Sequence, residues 1–339
     1  MNSHLDAEVL ASPVLDASSQ QFLDSLAARG GPQLWEMPID EGRALLVSVQ
    51  AEALKGAELP PTDVEDLTLP VGPLGRVAVR IVRPKGSLGP LPAVMYFHGG
   101  GWVFCDRNTH DRLLRDLARA ANVAIVFVDY SRSPEVRYPI ANEEAYAATK
   151  WVAENGQDIG VDPTALALVG DSAGGNMATV VCMRAKERGG PEIKLQVLFC
   201  PTVDAAFDTP SYGQFGAGYS LDREFMKWFW NQYVPDPVVR SEATASPLRA
   251  SLGQLRGIPP AVIITAECDV LRDEGEAYAR KLIQAGVEAT ATRYLGTVHD
   301  FMVQNPLANT SATRAAVAQT RAALRAVLKI KSGTGRVAA

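Results

Sequence analysis

Gly170-Asp171-Ser172-Ala173-Gly174 directly follows the apolar run 165–169, so a serine stands between two glycines where a buried strand would turn into a helix. Such a turn strains the serine backbone and lifts its hydroxyl above the sheet end, placed to attack a carbonyl carbon. The pentapeptide alone is a weak signal, because small-residue turns containing serine are common. A second pattern strengthens it. The apolar segment 91–97 runs into His98-Gly99-Gly100-Gly101-Trp102, and three glycines in succession bare backbone N–H groups. Acyl transfer needs such donors where a carbonyl oxygen turns negative, and the amide of Ala173, just past the serine, is their natural partner. His98 lies upstream of the serine and beside the glycines, which reads as a brace for that loop.

A serine nucleophile needs a base and an acid, which this strand–turn–helix architecture takes in the chain order serine, acid, histidine. Of His4, His98, His110 and His299, only His299 follows Ser172. It lies in the loop 296–301, beyond the alternating segment 288–294 that reads as the last strand. Between the two, the apolar strand 261–266 is followed by Glu267, Asp269, Asp273 and Glu274. Asp269 is the first aspartate past the strand end and is taken as the acid that orients the imidazole. Asp273 and Glu274 read as charges at the start of the next helix. Asp204, after the strand at 194–199, is the runner-up. Asp171 is assigned to the elbow itself, and Asp300, adjacent to the histidine in sequence, is badly placed to receive its ring proton. Cys105, Cys182, Cys200 and Cys268 are scattered without metal or disulfide spacing and read as free, mostly buried thiols. The chemistry calls for no cofactor and no metal.

The elements that must hold these residues follow from pattern. After residue 90, strands at 93–97, 123–128, 165–169, 194–199, 261–266 and 288–294 alternate with helical segments, which predicts parallel βαβ units covered on both faces. Segments 64–70 and 76–82, separated by Gly72 and Gly75, read as an antiparallel hairpin at one edge. The total is a mixed sheet of eight strands. Residues 1–55 and 202–245 do not fit the alternation and are expected to form a helical cap, leaving 56–201 and 246–339 as the two parts of the core. The insertion is rich in aromatics, of which about two thirds should pack the cap onto the core and the rest line an apolar acyl site.

In combination these residues resemble the hormone-sensitive-lipase-like esterases, a branch of the α/β-hydrolases. The resemblance spans nearly the whole chain. It rests on the His98–Trp102 segment, Val128-Asp129-Tyr130-Ser131-Arg132-Ser133-Pro134-Glu135, Gly170-Asp171-Ser172-Ala173-Gly174-Gly175-Asn176, Asp269-Val270-Leu271-Arg272-Asp273-Glu274-Gly275, and His299 with Phe301. It implies an α/β-hydrolase fold and places the oxyanion donors on Gly100 and Gly101, with Ala173. It further implies small esters of short to medium acyl chains, about four to eight carbons, as substrates. Three positions depart from the usual pattern: Asp300, Val270 and Ser131-Arg132-Ser133. None is expected to touch a catalytic group. Amides, formamides or acetylated metabolites are alternative substrates for the same residues. A ligand receptor on a retired hydrolase scaffold is disfavoured because His299 is present.

Composition bounds the partners. The chain has 339 residues, 47% hydrophobic and 21% charged, with a net charge of −5, which suits one large α/β core and argues against nucleic acid. No apolar run approaches the roughly 20 residues that span a bilayer, and residues 1–8 lack the basic start of a secretory leader. A cytoplasmic enzyme acting on a small-molecule ester is expected, with the last strand offering an edge at which a second copy would form a homodimer.

Overall fold

The computed structural model describes residues 13–330, so the outer ends of the expected 1–55 and 246–339 segments lie outside the described residues. Eight strands form one sheet: β1 (Thr62–Leu69), β2 (Val77–Pro84), β3 (Leu91–Phe97), β4 (Ala124–Asp129), β5 (Val161–Asp171), β6 (Gln196–Phe199), β7 (Ala261–Cys268) and β8 (Ala289–Val298). Their spatial order is β1-β2-β4-β3-β5-β6-β7-β8. Strands β3 to β8 pair in parallel, while β2 pairs antiparallel with both β1 and β4. Residues 93–97 of β3 and 166–171 of β5 are buried throughout. That is the signature of central parallel strands covered on both faces.

The helices are α1 (Ala17–Arg29), α2 (Ile39–Glu52), α3 (Asp111–Ala121), α4 (Ile140–Asn155), α5 (Ala173–Arg188), α6 (Pro210–Gln214), α7 (Arg223–Tyr233), α8 (Pro237–Arg240), α9 (Leu252–Leu255), α10 (Arg272–Gln284) and α11 (Ser311–Val327). Two of the covering pairs are α3 against α11 and α4 against α5. Among the described residues, no helix is long and apolar enough to cross a membrane.

The topology decides where a site can form. From β3 the chain crosses to β4 on one side, and β5 is added on the other, so the loops leaving β3 and β5 diverge above the sheet. The crevice at such a switch point, outside the carboxyl ends of the strands, is where open α/β sheets bind ligands. The glycine loop leaves β3 and the serine turn leaves β5, and these strands are neighbours, with Phe97 paired to Gly170.

Several strands run further than the sequence pattern indicates, and two of these, β5 and β8, bear on the site. β5 continues to Asp171, which pairs with Phe199. β8 continues to Val298, which pairs with Cys268 across a register shift, so His299 comes directly off a strand rather than from the middle of a loop. Sheet pairing, which alternation does not record, carries both extensions.

The segments outside the alternation meet above the carboxyl ends. Trp35, between α1 and α2, lies 4.8 Å ring to ring from Phe225 of α7, and Phe104 of the glycine-loop turn lies 5.8 Å from Phe229. Helix α7 has the spacing for this, since Phe225, Met226, Phe229, Trp230 and Tyr233 fall on one buried face.

Candidate functional site

Ser172 is the residue between β5 and α5, with φ 51° and ψ −117°, a conformation that L-residues rarely adopt. Its amide donates to the Phe199 carbonyl at 2.8 Å, which pins the turn to β6. The turn tolerates no side chain at Gly174, where a Cβ would lie 1.9 Å from the Phe97 carbonyl oxygen. Close approach of β3 to the start of α5 therefore explains that glycine, and Ser172 stays only 5% exposed.

Three chain segments meet at this hydroxyl. His299 Nε2 lies 3.1 Å from Ser172 Oγ, and His299 Nδ1 lies 2.8 Å from Asp269 Oδ2. Asp269 Oδ1 accepts the Leu271 amide at 2.9 Å, which fixes the carboxylate plane. Such an arrangement holds the Nδ1 proton toward Asp269 and leaves Nε2 facing the serine, the tautomer needed for proton abstraction. The runner-up Asp204 is elsewhere, paired with Arg249 at 2.6 Å. Glu274 lies in the first turn of α10, as expected, but departs from a simple helix-start charge. It is buried and accepts the Val203 amide at 2.8 Å, tethering the chain that leaves β6, and burial drives its pKa well above the carboxylate range.

Asp300 also departs from expectation. It does reach the ring, but at the other nitrogen, with Oδ2 3.3 Å from His299 Nε2. Backbone direction explains this: Asp300 has φ +55°, which turns its side chain back over the imidazole. Burial opposes the imidazolium of His299, yet Asp269 and Asp300 outweigh it and hold its pKa well above the ordinary imidazole range. Cys200, His299 and Asp300 place a thiol, an imidazole and a carboxylate within 4.8 Å of one another. Both ring nitrogens already have partners in Asp269 and Ser172, so this cluster belongs to the hydrogen-bonded site. Burial pushes the Cys200 thiol up to about 12.

The glycine loop is shaped from beneath. Gly100 and Gly101 have φ +90° and +60°, and the Gly100 carbonyl accepts the Phe104 amide at 2.8 Å. Among the described residues, the amides of Gly100, Gly101 and Ala173 donate to no protein acceptor. Buried donors are seldom left so; here Gly100 and Gly101 border the cavity that Ser172 also lines, and Ala173 is the residue after the serine. Asp171 supports the loop: its carboxylate accepts the Gly99 amide at 2.9 Å and the Tyr96 hydroxyl at 2.7 Å, and lies 3.3 Å from His110 Nε2. Although burial disfavours its charge, His110 and Tyr96 hold Asp171 below the usual carboxylate range. His98 packs flat on Tyr130, with ring centres 4.1 Å apart, and its Nδ1 lies 2.8 Å from the Gly99 carbonyl. Burial and the neighbouring His110 push His98 down to about 4, so it stays neutral. The departing Ser131-Arg132-Ser133 segment braces the same turn, since Arg132 donates to the Cys105 carbonyl at 2.7 Å and the Ser133 amide to the Trp102 carbonyl at 2.8 Å.

A cavity of about 350 Å³ opens onto Ser172 and His299. Its walls come from Phe22 and Leu26 of α1, Leu46 and Val49 of α2, and Phe225 and Phe229 of α7. Those two are the insertion aromatics that reach it, and the others in that segment pack. The fit at the floor is close, because a Cβ on Gly101 would lie 2.0 Å from the Phe229 ring. Arg43 of α2 anchors this wall to the core, donating to Glu135 at 2.6 Å and to the Val103 carbonyl at 2.9 Å. At the other end of α2, the Asn305 amide donates to the Gln50 side chain at 2.9 Å, and Arg112 donates to Asn305 at 2.9 Å and to the Val303 carbonyl at 3.0 Å. Tyr96, His110, Arg112 and Gln50 carry no motif in the sequence. Their contacts span 60 to 250 positions or so, a separation that no local pattern encodes.

With the geometry in hand, comparison with known proteins adds a family. A family model described as alpha/beta hydrolase fold matches residues 94–303. The chain is 42% identical to a carboxylic ester hydrolase, LipN, of Mycobacterium tuberculosis, covering 74% of this chain and 67% of that one. It is 38% identical to an ethyl acetate hydrolase of Pseudomonas putida, covering 71% and 76%. Among solved structures it is similar to a thermostable esterase from Pseudomonas putida, with 46% identity, a TM-score of 0.91 and coverage of 95% of this chain and all of that one.

Proposed function

The chain belongs to the α/β-hydrolase family, in its hormone-sensitive-lipase-like branch, and hydrolyses carboxylic esters; from that premise we propose that Ser172 is its nucleophile, His299 its base and Asp269 the acid that orients the imidazole. Ser172 Oγ attacks the ester carbonyl carbon as Nε2 of His299 takes the hydroxyl proton. The carbonyl oxygen turns negative and is held by the amides of Gly100, Gly101 and Ala173. Collapse breaks the bond to the alcohol oxygen, and Nε2 returns its proton to that leaving group. A water then loses a proton to Nε2, attacks the acyl-enzyme and releases the acid, and the proton goes back to Ser172.

One observation carries this reading: an unbroken contact chain from Ser172 Oγ through His299 to Asp269, beside three amides that have no acceptor among the described residues. Residues 13–55 and 202–245 act in it as a cap that closes a finite acyl pocket. The substrates are dissolved esters of short to medium acyl chain, because a cavity of about 350 Å³ is of the size that encloses one small ligand. A serine-directed phosphonate tests the assignment. It should inactivate the enzyme with a single label that peptide mapping places on Ser172, and Ser172→Ala should lower turnover by at least ~10⁴-fold. Label on Cys268 or another serine, or full activity in Ser172→Ala, overturns it.

A further inference from the structure

Resting on the assignment of His299 as base, the contact at its Nε2 carries a further step. We propose that Asp300 is an additional member of the reacting group: it shares one proton with His299 across Nε2 and keeps that nitrogen from accepting the Ser172 proton until the shared proton is lost.

The argument starts from the ring. Asp269 accepts from Nδ1 at 2.8 Å, so a neutral His299 has a bare lone pair at Nε2, which accepts from Ser172. A carboxylate oxygen 3.3 Å from that lone pair would be repelled. The contact is favourable only with a proton in it, either as an imidazolium donating Nε2–H to the Asp300 carboxylate or as a protonated Asp300 donating O–H to the neutral ring. Both states carry the same net charge. They differ only in which atom holds the proton.

The surroundings favour keeping it. Asp300 Oδ1 is buried without a hydrogen-bond partner among the described residues, so an ionised Asp300 has the imidazole as its compensation. Burial raises the pKa of Asp300 most, and Asp171 from the end of β5 and Asp269 from the loop after β7 add negative charge that disfavours its ionisation further, against the opposing pull of His299. The other titratable groups that act on the pair are the Cys200 and Cys105 thiols, the Tyr96 hydroxyl and, behind Asp171, the His110 ring, with the Ser172 hydroxyl at Nε2. Of these only His110 can carry a positive charge, and its ring nitrogen lies against Asp171, whereas His299 Nε2 lies 3.3 Å from Asp300 itself.

The backbone adds an independent point. With φ +55°, Asp300 occupies a conformation that glycine adopts most easily, so a carboxyl is kept there against a backbone cost. Asp300→Gly therefore removes the carboxyl while suiting the chain. While the proton remains in the pair, Nε2 cannot take the Ser172 proton. Base catalysis begins when the pair releases that proton to solvent, and the acid limb of kcat/KM reports the pair rather than an isolated imidazole.

The test compares two readouts. In a Ser172→Ala background, where no chemistry occurs, NMR titration of the His299 ring should show its pKa falling by about one unit or more on adding Asp300→Gly, the size expected from removing an adjacent opposite charge. In the enzyme with Ser172, the acid limb of kcat/KM should fall in parallel. Asp300→Asn, which keeps the size of the side chain but cannot share the proton, should behave as Asp300→Gly does. A ring titration and acid limb that do not move, or an Asn variant that keeps the wild-type limb, overturns the proposal. Absence of esterase activity in the wild type would instead defeat the assignment of the base, and the ring titration would still decide the shared proton.

Discussion

The sharpest consequence of the geometry is at Asp171, which touches no substrate yet should control the rate. Its carboxylate accepts from Gly99 at 2.9 Å and Tyr96 at 2.7 Å and faces His110 at 3.3 Å, all in a fully buried setting. Asp171→Asn keeps the shape but replaces an oxygen with an NH₂ that donates toward groups that are themselves donors. Either the Gly99 amide or the Tyr96 hydroxyl then loses its acceptor. A hydrogen bond to a charged group contributes about 1.5–3 kcal/mol. If the Gly99 bond is the one lost, the peptides of Gly100 and Gly101 are free to rotate away from the oxyanion. At about 1.4 kcal/mol per decade of rate, the cost is about 10- to 150-fold. The loss should appear in kcat and kcat/KM together with KM little changed, because those amides act more on the developing oxyanion than on the neutral carbonyl. Steady-state hydrolysis of a short nitrophenyl ester on the alkaline plateau measures it. A rise in KM at unchanged kcat, or no loss at all, would refute the idea that Asp171 sets the oxyanion loop.

Asp269→Asn should lower kcat/KM by roughly 10² to 10⁴-fold through the wrong imidazole tautomer, whereas Asp204→Asn should stay within a few-fold; a reversed ranking at one pH would move the acid to the chain after β6. With acyl length, kcat/KM should climb by up to about fourfold per methylene, at about 0.8 kcal/mol each, until the chain outgrows the cavity, and then fall. Deleting the residues before Glu52 removes the α1 and α2 walls, so the profile should flatten while Ser172 still takes the phosphonate label. An unchanged profile in the truncated protein, or activity that jumps on emulsified long-chain triglyceride, would contradict a finite pocket capped by those helices.

Much of this site is legible in the chain because its constraints are local. A serine that must sit in a strained turn needs small neighbours within two positions, and bared amides need successive glycines, so both leave short patterns. The parallel strands are legible for a similar reason, since burial on both faces makes each a continuous apolar run. Cap boundaries and strand ends are less so, because pairing such as Cys268 with Val298 depends on a partner some 30 residues away.

What the sequence by itself determined is which residues the proposed chemistry can draw on: a serine, one downstream histidine, an aspartate between them, and a glycine loop from a neighbouring strand. Tertiary structure alone decided how that chemistry is supported and tuned. Asp171 became the support of the glycine loop because folding placed Tyr96 and His110 against it from 75 and 61 positions away. Asp300 was expected to touch no catalytic group, and Asp269 does take Nδ1, yet with its backbone in the left-handed region Asp300 sets its carboxyl against Nε2. The physical reason is one of range. Backbone strain and glycine requirements act between adjacent residues and are written in order along the chain, whereas burial and electrostatics act through space between residues that meet only once the sheet is assembled.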